Sequence, residues 1–241
     1  MADLKTIQNN LSAVTEKMIA AAMRAGRDPE EVKLVVVSKG QPVEVIQAAI
    51  SAGVRIFGEN YPEESVEKIR ATIEAGVEWH MIGHLQSRKA RLVSGNFQYM
   101  HSLDSLHLAE KLDRILAENE RNLPVLLEFN VGIEASKGGW QASGPQSWSG
   151  LLPDIEQILK LPHLKVRGLM TMPPLTVSPE EARIYFKRLA ELRDYFRGCF
   201  PDQTWNELSM GTSSDFEVAI EEGATFVRIG TSILGPRPYK G

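Results

Sequence analysis

The sequence has one cysteine, Cys199, in 241 residues. One thiol closes no intramolecular disulfide, which suits a reducing cytoplasm. Its neighbours Phe196, Gly198 and Phe200 predict a packing role rather than chemistry. No segment approaches the roughly 18 apolar residues of a membrane span. The first stretch, MADLKTIQNNLSAVTEKM, carries Asp3, Lys5, Glu16 and Lys17 and lacks the apolar core of a secretory signal. Basic residues are not in excess: the formal net charge is -4, which argues against a nucleic-acid binder. The densest basic cluster, SRKAR at 87–91, reads as a solvated helix face. Histidines and the lone cysteine give no support for a metal site.

What is present is an ample apolar fraction, 43%, enough for a core of one large or two small domains. Two kinds of segment alternate. Short β-branched or aromatic runs stand at 32–38, 54–59, 78–83, 97–103, 125–132, 166–172, 205–211 and 226–232. Amphipathic stretches with apolar spacing near 3.6 lie between them, such as VEVIQAAISAG and SPEEARIYFKRLAELRDYF. Helix starts are marked by Pro42, by Asp104-Ser105 and by Ser178-Pro179-Glu180-Glu181. An extra helix is expected at about 3–25. Eight apolar strands alternating with helices predict an α/β fold, a (β/α)8 barrel in one domain over 1–241. A doubly wound open sheet is the competing architecture. The Gly/Ser-rich stretch 136–150 is expected to be a mobile active-site or surface loop.

Barrels of this kind carry function at the C-terminal strand ends. There the sequence places Lys39, Glu59, Asn60, His80, Asn130, Met170, Ser209–Ser213 and Arg228–Thr231. The endings SMGTS and RIGTS combine small residues with hydroxyls in the two loops that most often hold phosphate. Lys39 ends an apolar strand. Beside a phosphate cradle it reads as an amine whose pKa falls on desolvation, a Schiff-base nucleophile. The ligand expected is then a phosphorylated carbonyl compound, either a sugar phosphate or pyridoxal 5'-phosphate. Arg228 is placed to face a pyridine nitrogen; an interior ion pair with Glu128 explains it equally well. Lys137 is a second candidate amine, in a loop.

VVSKGQP, IFGENYPEE, EWHMIGHLQSRK, NVGIEASKGG, GLMTMPP, ELSMGTSSDFEVAIEEG and VRIGTSILGPR, in this order, resemble the pyridoxal phosphate homeostasis proteins, also called the proline-synthase co-transcribed family. The resemblance runs from about Leu34 to Arg237. It implies a single-domain modified (β/α)8 TIM barrel like the N-terminal domain of alanine racemase, with pyridoxal 5'-phosphate held as an aldimine on Lys39. The resemblance puts Asn60 and His80 beside the ring, Ser209 to Ser213 with Gly230 and Thr231 around the phosphate, and Arg228 at the pyridine nitrogen. The expected cofactor-binding set is Lys39, Asn60, His80, Met170, Ser209, Gly211, Thr212, Ser213, Arg228, Gly230 and Thr231, with no catalytic residue and no metal ligand. This chain departs from the family pattern at Gly40, Gln41, His84, Arg88 and Thr212, all near the rim.

A carrier serving intracellular vitamin B6 homeostasis is expected, with a weak amino-acid racemase as the alternative and a sugar-phosphate aldolase as a third reading. Racemisation needs an acid/base on each face of the substrate. Lys39 supplies one. In similar racemases a tyrosine from a second domain supplies the other, and only Tyr61 and Tyr239 stand nearby here. Apo pyridoxal-phosphate enzymes are the expected transient recipients. Nucleic acid and membrane are not expected partners, and a cytoplasmic monomer is the default.

Overall fold

The computed structural model describes residues 3–132, 134 and 138–237. Its strands are β1 (Lys33–Val37), β2 (Ile56–Glu59), β3 (Glu78–Met81), β4 (Tyr99–Leu103), β5 (Leu123–Asn130), β6 (Trp140–Gln141), β7 (Leu164–Met170), β8 (Glu207–Ser209) and β9 (Phe226–Ile229). All pairings are parallel. Going round, β4, β3, β2, β1, β9, β8, β7 and β5 are neighbours, and β4 pairs with β5 to close an eight-stranded barrel. That closure disposes of the open sheet. The two-residue β6 pairs only with β5, Phe129 opposite Trp140.

The helices are α1 (Leu4–Arg24), α2 (Val43–Ser51), α3 (Pro62–Ala71), α4 (Ala90–Asn96), α5 (Leu106–Glu118), α6 (Pro145–Trp148), α7 (Leu152–Leu159), α8 (Pro179–Cys199), α9 (Phe216–Glu221) and α10 (Thr231–Leu234). α1 starts where the Asp3 side chain accepts from the Thr6 amide at 2.8 Å. Its buried stripe of Ile7, Val14, Met18, Ala21 and Ala22 packs on α9, α10 and α2. Asn10 Nδ2 fixes the register by donating to the Ile233 carbonyl at 3.1 Å.

The strands read as continuous apolar runs because both of their faces are covered. On β1, Val35 enters a small interior cluster with Ile82, Tyr99, Leu126, Met170 and Phe226, whereas the next residue, Val36, joins the outer core under the helices. Burying one such side chain contributes about 1.5–3 kcal/mol.

Three expectations change. The strand expected at 205–211 contracts to Glu207–Ser209 because Gly211 takes φ 92°, outside extended space. The stretch 138–150 is not a bare loop: it holds β6 and α6, and Ala142 and Trp148 are buried. Cys199 is exposed rather than packed, since Phe196 takes the inward side of this last turn of α8.

Candidate functional site

The C-terminal ends of the barrel strands surround a cavity of about 340 Å³. Seven of the eleven expected residues line it: Lys39, Asn60, Thr212, Ser213, Arg228, Gly230 and Thr231. His80, Met170, Ser209 and Gly211 do not. His80, Met170 and Ser209 are buried within β3, β7 and β8. Gly211 serves as a tight packing point, where a Cβ would stand 2.6 Å from the Ala219 Cβ. His80 and His84 are four residues apart, but His80 lies within β3 and His84 beyond its end, so they share no helix face. The first is buried in the barrel and the second is exposed at the mouth.

Lys39 stands two residues beyond the end of β1, after Ser38, and is half-buried. Desolvation pulls its amine below the usual lysine range, the nearby Arg237 guanidinium adds to this, and Glu59 opposes it. The strand end that carries it is pinned from behind. Lys68 Nζ donates to the Ser38 carbonyl at 2.8 Å and to Glu59 Oε1 at 2.6 Å, and Ser38 Oγ donates to the same carboxylate oxygen at 2.7 Å. This buried ion pair was not foreseen. The only signal for it in the sequence is that Lys68 lies one residue from Ile69 on the inward side of α3. Arg237, also unforeseen, lays its Cδ 3.2 Å from where a Gly40 Cβ would be, and Gly40 adopts φ 70°.

Arg228 ends in the cavity wall, 3% exposed. Its Nη1 donates to Ser209 Oγ, and its Nη2 donates to the Thr171 carbonyl and Met172 Sδ, each at 2.9 Å. Burial pushes the guanidinium down to about 10, against the pull of Glu128 and Asp215. It therefore stays protonated at neutral pH. Glu128 lines the same cavity and acts on Arg228 through its field.

Across the mouth, the Asn60 Oδ1 is buried and has no hydrogen-bond partner among the described residues. Gly83 packs against it so closely that a Cβ would lie 2.6 Å from the Asn60 Cα. Thr212 turns both its amide and its hydroxyl to Asp215 Oδ1, at 2.6 and 3.0 Å. Its neighbour Ser213 also lines the cavity. His84 Nδ1 lies 2.7 Å from Asp104 Oδ2 at the rim. Tyr61 is 54% exposed and lies outside the lining. Lys137 and Tyr239 lie outside the described residues. Among the described residues no group of three or more His, Cys, Asp and Glu could hold a metal ion. No helix among them is long and apolar enough to cross a membrane.

A family model described as the alanine racemase N-terminal domain matches residues 3–238. The chain is 43% identical over 229 residues to the pyridoxal phosphate homeostasis protein of Aquifex aeolicus, covering 95% of this chain and 97% of that one. It is 40% identical over 243 residues to the protein of that name from Escherichia coli K12, covering 98% and 99%. Among solved structures it resembles PipY of Synechococcus elongatus PCC7942 with PLP bound. The TM-score is 0.81 at 33% identity, over 95% of this chain and all of that one (100%). An alanine racemase from Clostridium difficile 630 shares the fold, with TM-score 0.69 at 17% identity, over 99% of this chain and 58% of the racemase.

Proposed function

The chain belongs to the alanine racemase N-terminal domain family and, within it, to the pyridoxal phosphate homeostasis proteins; on that premise we propose that it binds pyridoxal 5'-phosphate covalently through Lys39 and holds it for delivery rather than for catalysis. The observation that carries this reading is the pairing, in one cavity, of a desolvated amine with a buried, protonated guanidinium. Lys39 would hold the cofactor, which would supply an aldehyde for its amine.

The residues present fit the group. Lys39, Arg228 and Arg237 make the cavity attractive to an anion, and Ser213, Gly230 and Thr231 offer small, hydroxyl-bearing positions for a phosphate. The unpartnered Asn60 Oδ1 suits a donor on the ligand, since a buried acceptor left unpaired costs about 1–3 kcal/mol. A volume of about 340 Å³ is in the range of small-ligand sites.

Arg228 supports storage over turnover. Facing a ring nitrogen, a protonated guanidinium keeps that nitrogen free of a proton and weakens the ring as an electron sink. The cavity lining among the described residues also includes no tyrosine to act opposite Lys39. Release to apo pyridoxal-phosphate enzymes in the cytoplasm is the role this implies.

Loading the protein should produce a visible absorption band and a mass increment fixed by borohydride, both absent in Lys39→Ala. Transfer to an apo-enzyme, with free cofactor scavenged, tests delivery; no transfer sinks it. One observation favours the racemase alternative: His84 lines the cavity mouth as an imidazole oriented by Asp104, with Nδ1 2.7 Å from Asp104 Oδ2. Solvent deuterium entering the α-position of an amino acid, lost in His84→Ala, would support that reading.

A further inference from the structure

We infer that Glu78, His80, His101 and Ser209 form a one-directional hydrogen-bond relay through the barrel interior that positions Arg228 beneath the cavity. The claim for Arg228 rests on the ligand reading above; the relay stands on contacts within the protein alone.

The direction follows from the two ends. A guanidinium can only donate, and a carboxylate only accepts. Because Glu78 only accepts, both neutral rings carry their proton on Nε2, which leaves His101 Nδ1 to accept the Ser209 hydrogen at 2.8 Å while Ser209 Oγ accepts from Arg228 Nη1. His101 then carries its proton on Nε2 and donates to His80 Nδ1 at 2.9 Å. His80 in turn carries its proton on Nε2, 3.2 Å from Glu78 Oε2. Desolvation lowers the pKa of both imidazoles, which leaves each with one donor and one acceptor. The hydrogen bond from His80 holds Glu78 ionised. One assignment of protons satisfies every member.

Aromatic rings fix the histidines in place. The Phe226 centroid lies 4.9 Å from that of His101, and Tyr99 lies 5.0 Å from His80. Glu78 is the first residue of β3, with its side chain 60% exposed at the base of the barrel. The relay thus runs from solvent at one end of the barrel to the underside of the cavity at the other. With its hydrogen committed to His101, Ser209 presents an aligned lone pair to Arg228, and linked bonds of this kind strengthen one another. Ser209 and His80, which do not line the cavity, thereby act on it through Arg228.

The experiment has two arms. In cofactor-free, 15N-labelled protein, NMR should show both imidazoles as neutral Nε2–H tautomers, with a scalar coupling across the His80–His101 bond. An Nδ1–H tautomer at either ring, or a doubly protonated ring at neutral pH, overturns the relay. In protein loaded with pyridoxal 5'-phosphate carrying 15N in its ring, His101→Leu should shift the ring-nitrogen resonance. His101→Gln, which keeps a donor toward His80 and an acceptor toward Ser209, should restore it. If His101→Leu does not fold, Ser209→Ala breaks the same chain. An unmoved resonance, or a shift that His101→Gln leaves unrestored, overturns the positioning role. Protein that takes up no cofactor overturns the ligand reading and the positioning role with it, while the relay is still judged by the first arm.

Discussion

The two ends of the barrel treat polar side chains differently. At the base, the Tyr99 hydroxyl donates to Glu207, Lys33 lies 4.0 Å from Glu207 and 5.1 Å over the Phe226 ring, and Glu78 accepts from His80. At the mouth, the buried Asn60 Oδ1 and Glu59 Oε2 have no hydrogen-bond partner among the described residues. The Lys39 amine there is partly stripped of water. Closed pairs at the base need nothing from outside. Incomplete ones at the mouth cost stability, and a ligand is what can return it.

The sharpest way to break this contrast is at the ion pair behind Lys39. Lys68→Met strands the Glu59 carboxylate in the core and should cost about 3–5 kcal/mol in denaturant unfolding. Adding Glu59→Leu should recover most of that loss. Failure of this double variant to recover would mean that the pair does more than offset its own burial.

Next is Gly83→Ala, whose Cβ would be pushed to 2.6 Å from the Asn60 Cα and carbonyl oxygen. It should cost about 1–3 kcal/mol and weaken pyridoxal 5'-phosphate binding, seen by titration. At the base, Tyr99→Phe removes one hydrogen bond and should cost only about 1 kcal/mol, with binding unchanged. If this base substitution also impaired binding, the Tyr99–Glu207 pair would be coupled to the mouth as the Glu78 relay is.

The smallest effect is on pH dependence. Desolvation holds the folded pKa of Lys39 below its ordinary value of 10.5. Between the two values the unfolded chain binds more protons, so the contribution of this group to stability rises as pH climbs through that window. Below the window its burial is a constant penalty. The rate of cofactor capture should therefore rise with pH, with a midpoint under 10.5. Arg237→Ala should move that midpoint upward, because the guanidinium lowers the Lys39 value. A midpoint that stays put removes Arg237 from the account.

The sequence made the mouth more legible than the interior. Lys39, Thr212, Ser213, Gly230 and Thr231 could be read because a polar residue at the end of an apolar strand is conspicuous. A period of two tells which side of a strand a residue faces, but not its depth. His80, Met170 and Ser209 were thus counted with the rim although they are buried below it. The Glu59–Lys68 pair and the Arg237–Gly40 contact escaped for another reason. Each joins separate elements whose juxtaposition the closed barrel alone creates.

The contact of Asn10 with the Ile233 carbonyl spans 223 residues of sequence. During synthesis, the apolar stripe of α1 must wait for α9 and α10 before it can be covered. Contacts at such separation slow folding, and an uncovered stripe is a site where a nascent chain aggregates or is held by a chaperone. The helix that latches the finished barrel is therefore its longest-lived liability on the way there.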